Sequence, residues 1–361
     1  MNDRPYWLGF SAFPGIGPMR FKLLREYFGS VKAAWEASTS DLTTIKLGEQ
    51  LVKRFDTFRR EHDLLGYERK VKDLGVSVLT IDDPRYPRLL KEISDAPFLL
   101  YIKGKKTDRP WDIEKSVGVV GTRRITSYGK EVTHAIATKL AQHGVTVVSG
   151  LALGVDAVSH TAAMEAGGKT IAVLGCGVDC CNPRSNQYIY DQIIAGHGMA
   201  ISEFPISQRA VVGLFPARNR IISGLSLGIV VTEGTEDSGA LITASYAAEQ
   251  GRDVFAVPGP VNSIFSKAAN TLLKKGAKLV ESADDILHEL NISVRSNGSS
   301  NRYTGDNDEE RAILDLLHEV PIESNELIRR LKWPTFKATS TLSLLEIKGI
   351  IKQERGVYSL K

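Results

Sequence analysis

The stretch FPARNRIISGLS combines an aromatic ring with two guanidinium groups at the start of an apolar helical segment. Phe215 offers a face on which a nucleobase can stack, and Arg218 and Arg220 flank Asn219 as candidate phosphate ligands. A stacking ring beside cationic groups is the minimum equipment for sequence-tolerant binding of an unpaired nucleic-acid strand. The alternative interpretation is structural: the ring fills the core, and the arginines pair with acids such as Glu203.

A second candidate is the loop Gly121-Thr122-Arg123-Arg124, which follows an apolar strand directly and precedes a helix. Its glycine lets the backbone approach a ligand, while the threonine and the two arginines supply hydrogen-bond donors. A helix N-terminus already favours phosphate through its free amides and its dipole. We therefore predict that this loop binds phosphate.

The next loop, SGLALGVDAVSH, again follows a strand and opens a helix. Its first residue is Ser149, and Gly150 and Gly154 allow backbone amides to face an anion, as in a phosphate-binding turn. For Asp156 and His160 the structural interpretation is favoured, with the aspartate as a helix cap.

Two further loops complete the candidate set. GCGVDCCNPRSNQ carries Arg184 and Asn186, which are predicted to reach a phosphate or a base. Its three cysteines do not predict a metal site, because the chain lacks a second cluster with ligand spacing and adjacent cysteines are not a usual zinc pair. In TEGTEDSGALITASYAAEQG, Ser238 and Gly239 stand at a helix N-terminus, which suits an anion.

Short β-branched runs alternate with amphipathic helical stretches over the middle of the chain. This pattern predicts an α/β fold with a doubly wound, mainly parallel Rossmann-like sheet covered by helices on both faces. The predicted strands are 117–121, 145–150, 170–175, 199–203, 227–233, 253–259 and 277–282. Doubly wound folds bind ligands at the carboxyl edge of the sheet, so the loops above should converge there.

The flanking regions predict two smaller domains. Residues 1–80 are helical and resemble a helix-hairpin-helix or SAM-like bundle, in which glycine amides either contact phosphates or only permit a tight turn. Residues 85–290 form the Rossmann-like domain, and 291–307, rich in Ser, Asn and Gly, form a flexible linker. Residues 308–361 read as three helices and a hairpin, a winged helix with 336–348 as the recognition helix.

Composition is that of an ordinary globular protein: 361 residues, 42% hydrophobic and 24% charged, enough for two or three domains. The net charge of +4 permits a nucleic-acid partner without requiring one. An apolar run of about 18 residues is missing, so no membrane helix is predicted. The N-terminus lacks the pattern of a secretion signal, and an odd number of cysteines suits reduced thiols, so the predicted location is cytoplasmic.

Taken together, the loops resemble the DNA-processing protein A family (DprA, also called Smf). The motifs run in family order over 117–282 and are VVGTRR, VVSGLALGVDAVSH, TIAVLGCGVD, FPARNRIISGLS, SGALITASYAAEQGRDVFAVPG and GAKLVES. The flanking helical and winged-helix regions also fit the family's layout.

The resemblance implies a protein without catalytic activity or cofactor that coats single-stranded DNA entering during natural transformation, protects it and helps to load the RecA recombinase. It also implies a homodimer built through the Rossmann-like domain. By transfer from the family motifs, one loop grips phosphate, one helix holds a base and its flanking backbone, and polar groups along the groove add contacts. The residues concerned are Thr122, Arg123 and Arg124 for phosphate, Phe215, Arg218 and Arg220 for base and backbone, and Ser149, Gly150 and Ser238 for the polar contacts.

Besides residues 266–270, which read SKAAN where a glycine is common before the asparagine, two positions depart from the family pattern. Asn182-Pro183 stands where the family usually has Tyr-Pro, and Glu236-Asp237 stands where relatives often carry a basic residue. Because acids repel phosphate, the second departure bears on affinity.

Two other functions compete. The first is a nucleotide phosphoribohydrolase-like enzyme, for which Glu233 or Glu236 would supply the carboxylate that stabilises an oxocarbenium-like centre or activates water. The second is a winged-helix transcription regulator. Residues 308–361 contain nine basic and nine acidic residues, a balance that argues against autonomous duplex binding, which depends largely on cation–phosphate contacts.

Overall fold

The protein is described by a computed structural model that covers residues 3–45, 47–104, 115–211, 213–292, 307–319, 322–354 and 356–360. The chain divides into two compact units, 1–294 and 295–361. Most of the predicted linker at 291–307 lies outside the described residues. Throughout the described parts, every helix is too short or too polar to span a bilayer.

The first unit contains fourteen helices and nine strands among its described residues. The helices are α1 (Arg4–Ala12), α2 (Pro18–Phe28), α3 (Val31–Glu36), α4 (Thr39–Thr44), α5 (Glu49–Glu61), α6 (Leu64–Asp73), α7 (Arg88–Lys91), α8 (Ser127–Gln142), α9 (Val155–Glu165), α10 (Gln187–Gln192), α11 (Leu214–Leu225), α12 (Gly239–Glu249), α13 (Lys267–Lys274) and α14 (Ala283–Glu289). The strands are β1 (Ser77–Thr80), β2 (Leu99–Gly104), β3 (Ser116–Val120), β4 (Thr146–Ser149), β5 (Thr170–Val173), β6 (Gly198–Ser202), β7 (Gly228–Val231), β8 (Asp253–Ala256) and β9 (Lys278–Leu279). Short helical turns lie at Arg184–Asn186, Ile193–His197 and Ile264–Ser266.

The nine strands form one sheet in the order β1-β2-β6-β5-β4-β3-β7-β8-β9. Strands β3 to β9 pair in parallel, whereas β2 runs antiparallel to both β1 and β6. From β3 the chain first moves outward through β4, β5 and β6, and then returns to the other side of β3 with β7. The order of strands therefore reverses between β3 and β7, and a crevice opens at their carboxyl ends.

Both faces of the sheet are covered, which explains the continuous apolar strands. Alternate residues of β3 serve opposite faces: Val117 and Val119 pack under α8, α9 and α14, whereas Val120 packs under α7, α11 and α12. A doubly wound, mainly parallel sheet, as predicted from the sequence, is thereby confirmed. The sequence did not predict β1 and β2, which add an antiparallel edge.

The N-terminal helices α1 to α6 form a bundle with an aromatic core. Phe10 and Phe55 stack in its centre, and Phe21 stacks on Phe98, which lies just before β2, with ring centroids 3.9 Å apart. The helical prediction for this region is correct. The structure differs at the predicted boundary at residue 80, because β1 already belongs to the sheet and the bundle shares its core with β2.

The second unit is a winged helix. It contains α15 (Asp308–Glu319), α16 (Ser324–Leu331), α17 (Thr335–Ile347) and the strands β10 (Ile322–Glu323), β11 (Ile351–Glu354) and β12 (Val357–Leu360). The strands form a small antiparallel sheet in the order β10-β12-β11. The predicted three helices and hairpin are present, with α17 at the position of the predicted recognition helix; Arg355 of the predicted turn lies outside the described residues.

Candidate nucleic-acid interface

The crevice at the carboxyl ends of β3 and β7 contains a pocket of about 440 Å³. Four segments line it: the loop after β3, the loop after β4, the first turns of α11, and the loop after β7 with the start of α12. The lining residues are Val120, Gly121, Thr122, Arg123, Arg124, Ala152, Asp156, Phe215, Pro216, Arg218, Asn219, Ile222, Thr235, Asp237, Ser238, Gly239, Ala240, Ile242 and Thr243. The structure therefore brings together the predicted loops at 121–124, 215–220 and 238–239, as the parallel sheet requires.

Exposed positive charge reaches the pocket from the loop after β3. Arg123 and Arg124 are both exposed, whereas Thr122 is buried and its hydroxyl accepts a hydrogen bond from the Arg124 amide at 3.1 Å. The guanidinium carbon of Arg123 lies 5.5 Å from the ring centroid of Phe215, within cation–π range. The loop thus presents one guanidinium group against a partly exposed ring and a second one at the same pocket, an arrangement suited to a phosphate and an adjacent base.

Arg218 forms a wall of the pocket but is itself buried, with 4% of its surface exposed. Its guanidinium donates hydrogen bonds to the carbonyl of Gly150, at 2.7 Å, and to the carbonyl of Val173. Burial lowers the pKa of Arg218, and the nearby Asp156 carboxylate opposes that shift. Arg218 therefore ties α11 to the ends of β4 and β5 and adds fixed positive charge behind the pocket surface.

Arg220 has a different environment from the predicted one. The residue is 5% exposed, and its guanidinium forms a bidentate ion pair with Glu203, both distances being 2.8 Å, and a further bond of 2.7 Å to Asp95. The prediction that Arg220 holds the backbone of a strand is not supported by this geometry, because its donors are occupied inside the protein. The structural interpretation, including the partner Glu203, describes this arginine correctly.

Asn219 lies between these two arginines in sequence and lines the pocket. Its side-chain oxygen accepts a bond from Arg218 Nε at 3.2 Å, and its amide nitrogen is 3.4 Å from the Gly239 carbonyl. The side chain thereby bridges the first turns of α11 and α12, the two helices that meet at the pocket.

Four predicted contact residues stabilise the loops instead of facing the pocket. Ser149 is buried and donates to the Val119 carbonyl at 2.7 Å. Asn186 is 5% exposed and its amide donates to the carbonyls of residues 151 and 152. The Gly150 amide donates to Asp156 at 3.0 Å, and Gly154 begins α9 with φ of 75°, a left-handed conformation that favours glycine. The first three corrections share one cause: buried polar groups at strand ends and in loops need hydrogen-bond partners, and here they find them within the protein.

Arg184 and the cysteine loop lie apart from the pocket. Arg184 is exposed in a short helical turn and does not belong to the lining residues. Burial raises the pKa of Cys176 to about 12 and that of Cys181 to about 11, so these thiols are poor nucleophiles and metal ligands. Among the described His, Cys, Asp and Glu side chains there is no group of three that could hold a metal ion.

His160 and Asp156 have structural roles, as predicted. The Nδ1 atom of His160 is 2.6 Å from the Thr170 hydroxyl, and burial lowers the pKa of this imidazole to about 3. Asp156 accepts hydrogen bonds from the amides of Gly150 and Ala152, so it braces the preceding loop in place of capping its own helix.

The far side of the pocket is the N-terminus of α12. Ser238 is its N-cap and accepts a bond from the Ala240 amide at 3.3 Å, while Gly239 is exposed. Ile242 and Thr243, one turn further along α12, also line the pocket. The sequence analysis did not select these two residues, although they follow Gly239 at the i+3 and i+4 spacing that places them on the same helix face.

An acidic residue also lines this side of the pocket, next to Ser238 and Gly239. Asp237 lines the pocket, and a hydrogen bond of 2.6 Å from the Thr235 hydroxyl holds the pKa of its carboxyl below the usual range. The side chain is therefore ionised at neutral pH. Its negative charge, next to the N-terminus of α12, repels a phosphate bound there.

We expect Asp237→Asn to tighten the binding of any polyanionic strand about threefold at low salt, because one repulsive charge is removed from an exposed site. The gain should fade as salt screens the charge. Binding titrations at two salt concentrations measure it, with Glu236→Gln as the matched control, since Glu236 is exposed but lies outside the pocket lining. An equal gain in the control would show a general charge effect.

The fold and the pocket define a class of protein: a doubly wound α/β protein with a ligand-binding crevice at its strand-order reversal, equipped for an anionic ligand that carries an aromatic ring. The chain belongs to the DNA recombination-mediator protein A family, whose model matches residues 77–291. A second model, the DprA winged helix domain, matches residues 300–356. The family resemblance inferred from the sequence is thereby confirmed.

Individual relatives with similar sequences and structures support membership of this family. Protein Smf of Synechocystis is 37% identical over 291 residues, which cover 80% of this chain and 73% of the relative. DNA processing protein DprA of Bacillus subtilis is 42% identical over 219 residues, covering 61% of this chain and 73% of the relative. The crystal structure of DprA from Streptococcus pneumoniae superposes with a TM-score of 0.69 at 35% identity and covers 80% of this chain and 98% of its own.

A further structural relative bears on the ligand. DNA processing protein A from Helicobacter pylori, whose structure concerns its mode of binding single-stranded DNA, superposes with a TM-score of 0.53 at 30% identity. The match covers 60% of this chain and 95% of that protein.

Proposed function

We propose that the protein binds single-stranded DNA in the pocket between β3 and β7 and acts, without catalysis, as a recombination mediator during natural transformation. The observation that carries the proposal is the position of exposed Arg123 over the partly exposed ring of Phe215, with exposed Arg124 next to it in the same loop. Guanidinium groups bind backbone phosphates, and the ring stacks on a base that only an unpaired strand can offer. The single-strand binding of the Helicobacter pylori relative supports the same ligand.

The enzyme alternative is disfavoured by the environment of its candidate carboxylate. Glu233 is 2% exposed, and both of its carboxylate oxygens accept hydrogen bonds from Thr126. A general base must reach the proton that it removes, and this carboxylate is turned into the protein. Glu236 is exposed but lies outside the pocket lining.

The regulator alternative is disfavoured by α17, all of whose residues are described. Its one lysine, Lys337, pairs with Glu309 at 3.0 Å, and Lys348, just past its end, pairs with the buried Glu310 at 2.7 Å. The exposed side of the helix presents Phe336 and Ile347, which are 76% and 83% exposed. The other exposed residues of α17 are mostly hydroxyls, namely Thr335, Thr339, Ser340 and Ser343. A helix in the major groove is held largely by cations at the flanking phosphates, and the one cation of α17 is already paired with an acid.

The direct test is a gel-shift comparison of equal-length single and double strands over a salt series. We expect strong preference for the single strand, because stacking requires an unpaired base. Equal affinity for both forms would indicate a backbone clamp without base stacking, and specific protection of one duplex site would favour a regulator.

The same assay tests the phosphate-binding loop. In Arg123→Ala/Arg124→Ala, affinity should fall to a similar extent for all sequences, and the slope of log K against log salt should flatten by about 0.7 for each phosphate that the loop no longer neutralises. The matched control is Arg69→Ala/Lys70→Ala, which removes two adjacent exposed cations from α6, outside the pocket. An equal change of slope in both double variants would assign the effect to net charge and contradict the loop assignment.

Three further elements of the proposal come from the family resemblance: a homodimer formed through the Rossmann-like domain, loading of RecA onto the bound strand, and a cytoplasmic location. Exposed apolar side chains support the dimer: Leu279 in the edge strand β9 is 55% exposed, and Val261 and Ile264, between β8 and α13, are 83% and 59% exposed. Sedimentation equilibrium tests the dimer, and RecA filament formation on a strand coated by single-strand binding protein tests the loading.

A further inference from the structure

Glu233 makes three hydrogen bonds to the loop that carries Arg123 and Arg124. The residue follows β7, next to β3 in the sheet. Its carboxylate accepts the Thr126 hydroxyl at 2.6 Å and the Thr126 amide at 3.0 Å. Its main-chain carbonyl accepts the Thr122 amide at 2.8 Å. One residue thus holds the loop on both sides of its two arginines.

The surroundings are built around this carboxylate. The Thr126 hydroxyl caps α8 by accepting the Gly129 amide at 3.1 Å, so Glu233 also fixes the start of that helix. A side chain at position 129 would overlap the Glu233 carboxylate, and the glycine leaves the necessary space. On the opposite side of the loop, the Thr122 carbonyl accepts the Val155 amide at 3.1 Å.

We propose that Glu233 is the positioning residue of the phosphate-binding loop, acting on DNA only through Arg123 and Arg124. A buried acid near a polyanion costs affinity by repulsion, and this cost is offset by a gain from its bonds to the loop. That gain is preorganisation: a loop already fixed in its bound shape loses less conformational entropy when the strand binds. This inference rests on the proposed function and adds to it the residue that orders the binding loop.

The test begins with Glu233→Ala, which removes both side-chain acceptors. We expect the affinity for single-stranded DNA to fall about tenfold, since two arginine side chains and their loop must then be ordered by the ligand. Glu233→Gln should restore most of it, because the isosteric amide can accept the Thr126 amide and donate to the Thr126 hydroxyl oxygen. A catalytic carboxylate would show the opposite pattern, with the glutamine variant inactive.

A double-mutant cycle separates positioning from general stability. In the Arg123→Ala/Arg124→Ala background, Glu233→Ala should have almost no further effect on affinity, because the groups through which it acts are gone. An equally large loss in that background would overturn the proposal. If Glu233→Ala fails to fold, Thr126→Val removes the hydroxyl bond to Glu233 together with the cap on the Gly129 amide and keeps the bond from the Thr126 amide. It should give a smaller loss with the same dependence on the arginines.

Hydrogen exchange provides a readout that needs no DNA. Exchange in the segment 121–130 should be faster in Glu233→Ala than in the wild type and the glutamine variant, while the other segments of the first unit keep their protection. Unchanged exchange in 121–130 would refute positioning even if affinity fell. If the wild-type protein fails to bind single strands, the proposed function is wrong. The exchange result alone then tests whether Glu233 orders the loop.

Discussion

Arg220→Ala is expected to lower the free energy of unfolding by about 3–5 kcal/mol, a larger loss than we expect from any other substitution near the pocket. The change leaves the Glu203 carboxylate, whose side chain is 13% exposed, without its bidentate partner, and removes the link to Asp95. An unpaired buried charge is far more costly than the loss of an exposed pair. Equilibrium unfolding in denaturant measures the difference.

The pH dependence of this loss has a definite sign. Burial raises the pKa of Glu203, opposed by Arg220, so removal of the arginine raises that pKa further. A group with a raised pKa in the folded state destabilises most above that pKa and progressively less as the pH falls toward the unfolded value of about 4.3. The defect of Arg220→Ala should therefore shrink between neutral pH and about pH 5.

A paired substitution identifies the mechanism. Arg220→Met combined with Glu203→Gln removes both charges at similar volume and should be considerably more stable than Arg220→Ala alone, because no bare carboxylate stays buried. If the double variant is as unstable as the single one, the bare carboxylate is not the cause of the loss and the ion-pair explanation is wrong.

The contrast between Arg218 and Arg220 shows what the sequence could and could not predict at the site. At about 100° per residue, residues two apart on a helix point to nearly opposite sides, so these arginines could not both face one ligand. Phe215, Arg218 and Asn219, at i, i+3 and i+4, share the side that lines the pocket. This helical spacing was available in the sequence and would have assigned Arg220 to the protein interior.

Other features of the site depended on tertiary structure. Parallel strands bring their carboxyl ends to one edge, so the convergence of the loops followed from the strand pattern alone. The inward orientation of Asn186 and Ser149 did not, since a polar loop residue looks the same in sequence whether it contacts a ligand or another loop. Glu233 was visible as an acid after a strand, but its bonds to Thr126 join residues 107 positions apart.

The same distinction applies to the fold. Strands β3, β4, β5 and β7 are buried on both faces and read as continuous apolar runs, which made them predictable. Strand β1 has only four residues and a single buried one, at the edge of the sheet. It forms because β2 pairs with it and the N-terminal aromatic core covers both, and such long-range pairing leaves no local periodic signal.

Phe215→Ala is expected to weaken single-strand binding by about 1–3 kcal/mol, provided that a base stacks on this ring. The expectation follows from position: the half-exposed ring lines the pocket and already packs beside the Arg123 guanidinium, so a base can be held between the ring and the phosphate-binding loop. Unlike the loss from the arginine variants, this loss should change little with salt, because stacking releases few counterions. Fluorescence anisotropy with a labelled oligothymidylate measures both quantities.

Three comparisons make the Phe215 prediction selective. Phe215→Trp should keep most of the affinity, since a larger ring still stacks, and Tyr27→Ala, which removes an exposed ring from α2, should have no effect. In the Arg123→Ala background the loss from Phe215→Ala should be smaller, because the Arg123 guanidinium packs against this ring and the two side chains act together. Equal losses for single and double strands would mean that the ring only supports the loop. Unchanged affinity in a folded Phe215→Ala variant would place the strand elsewhere on the protein.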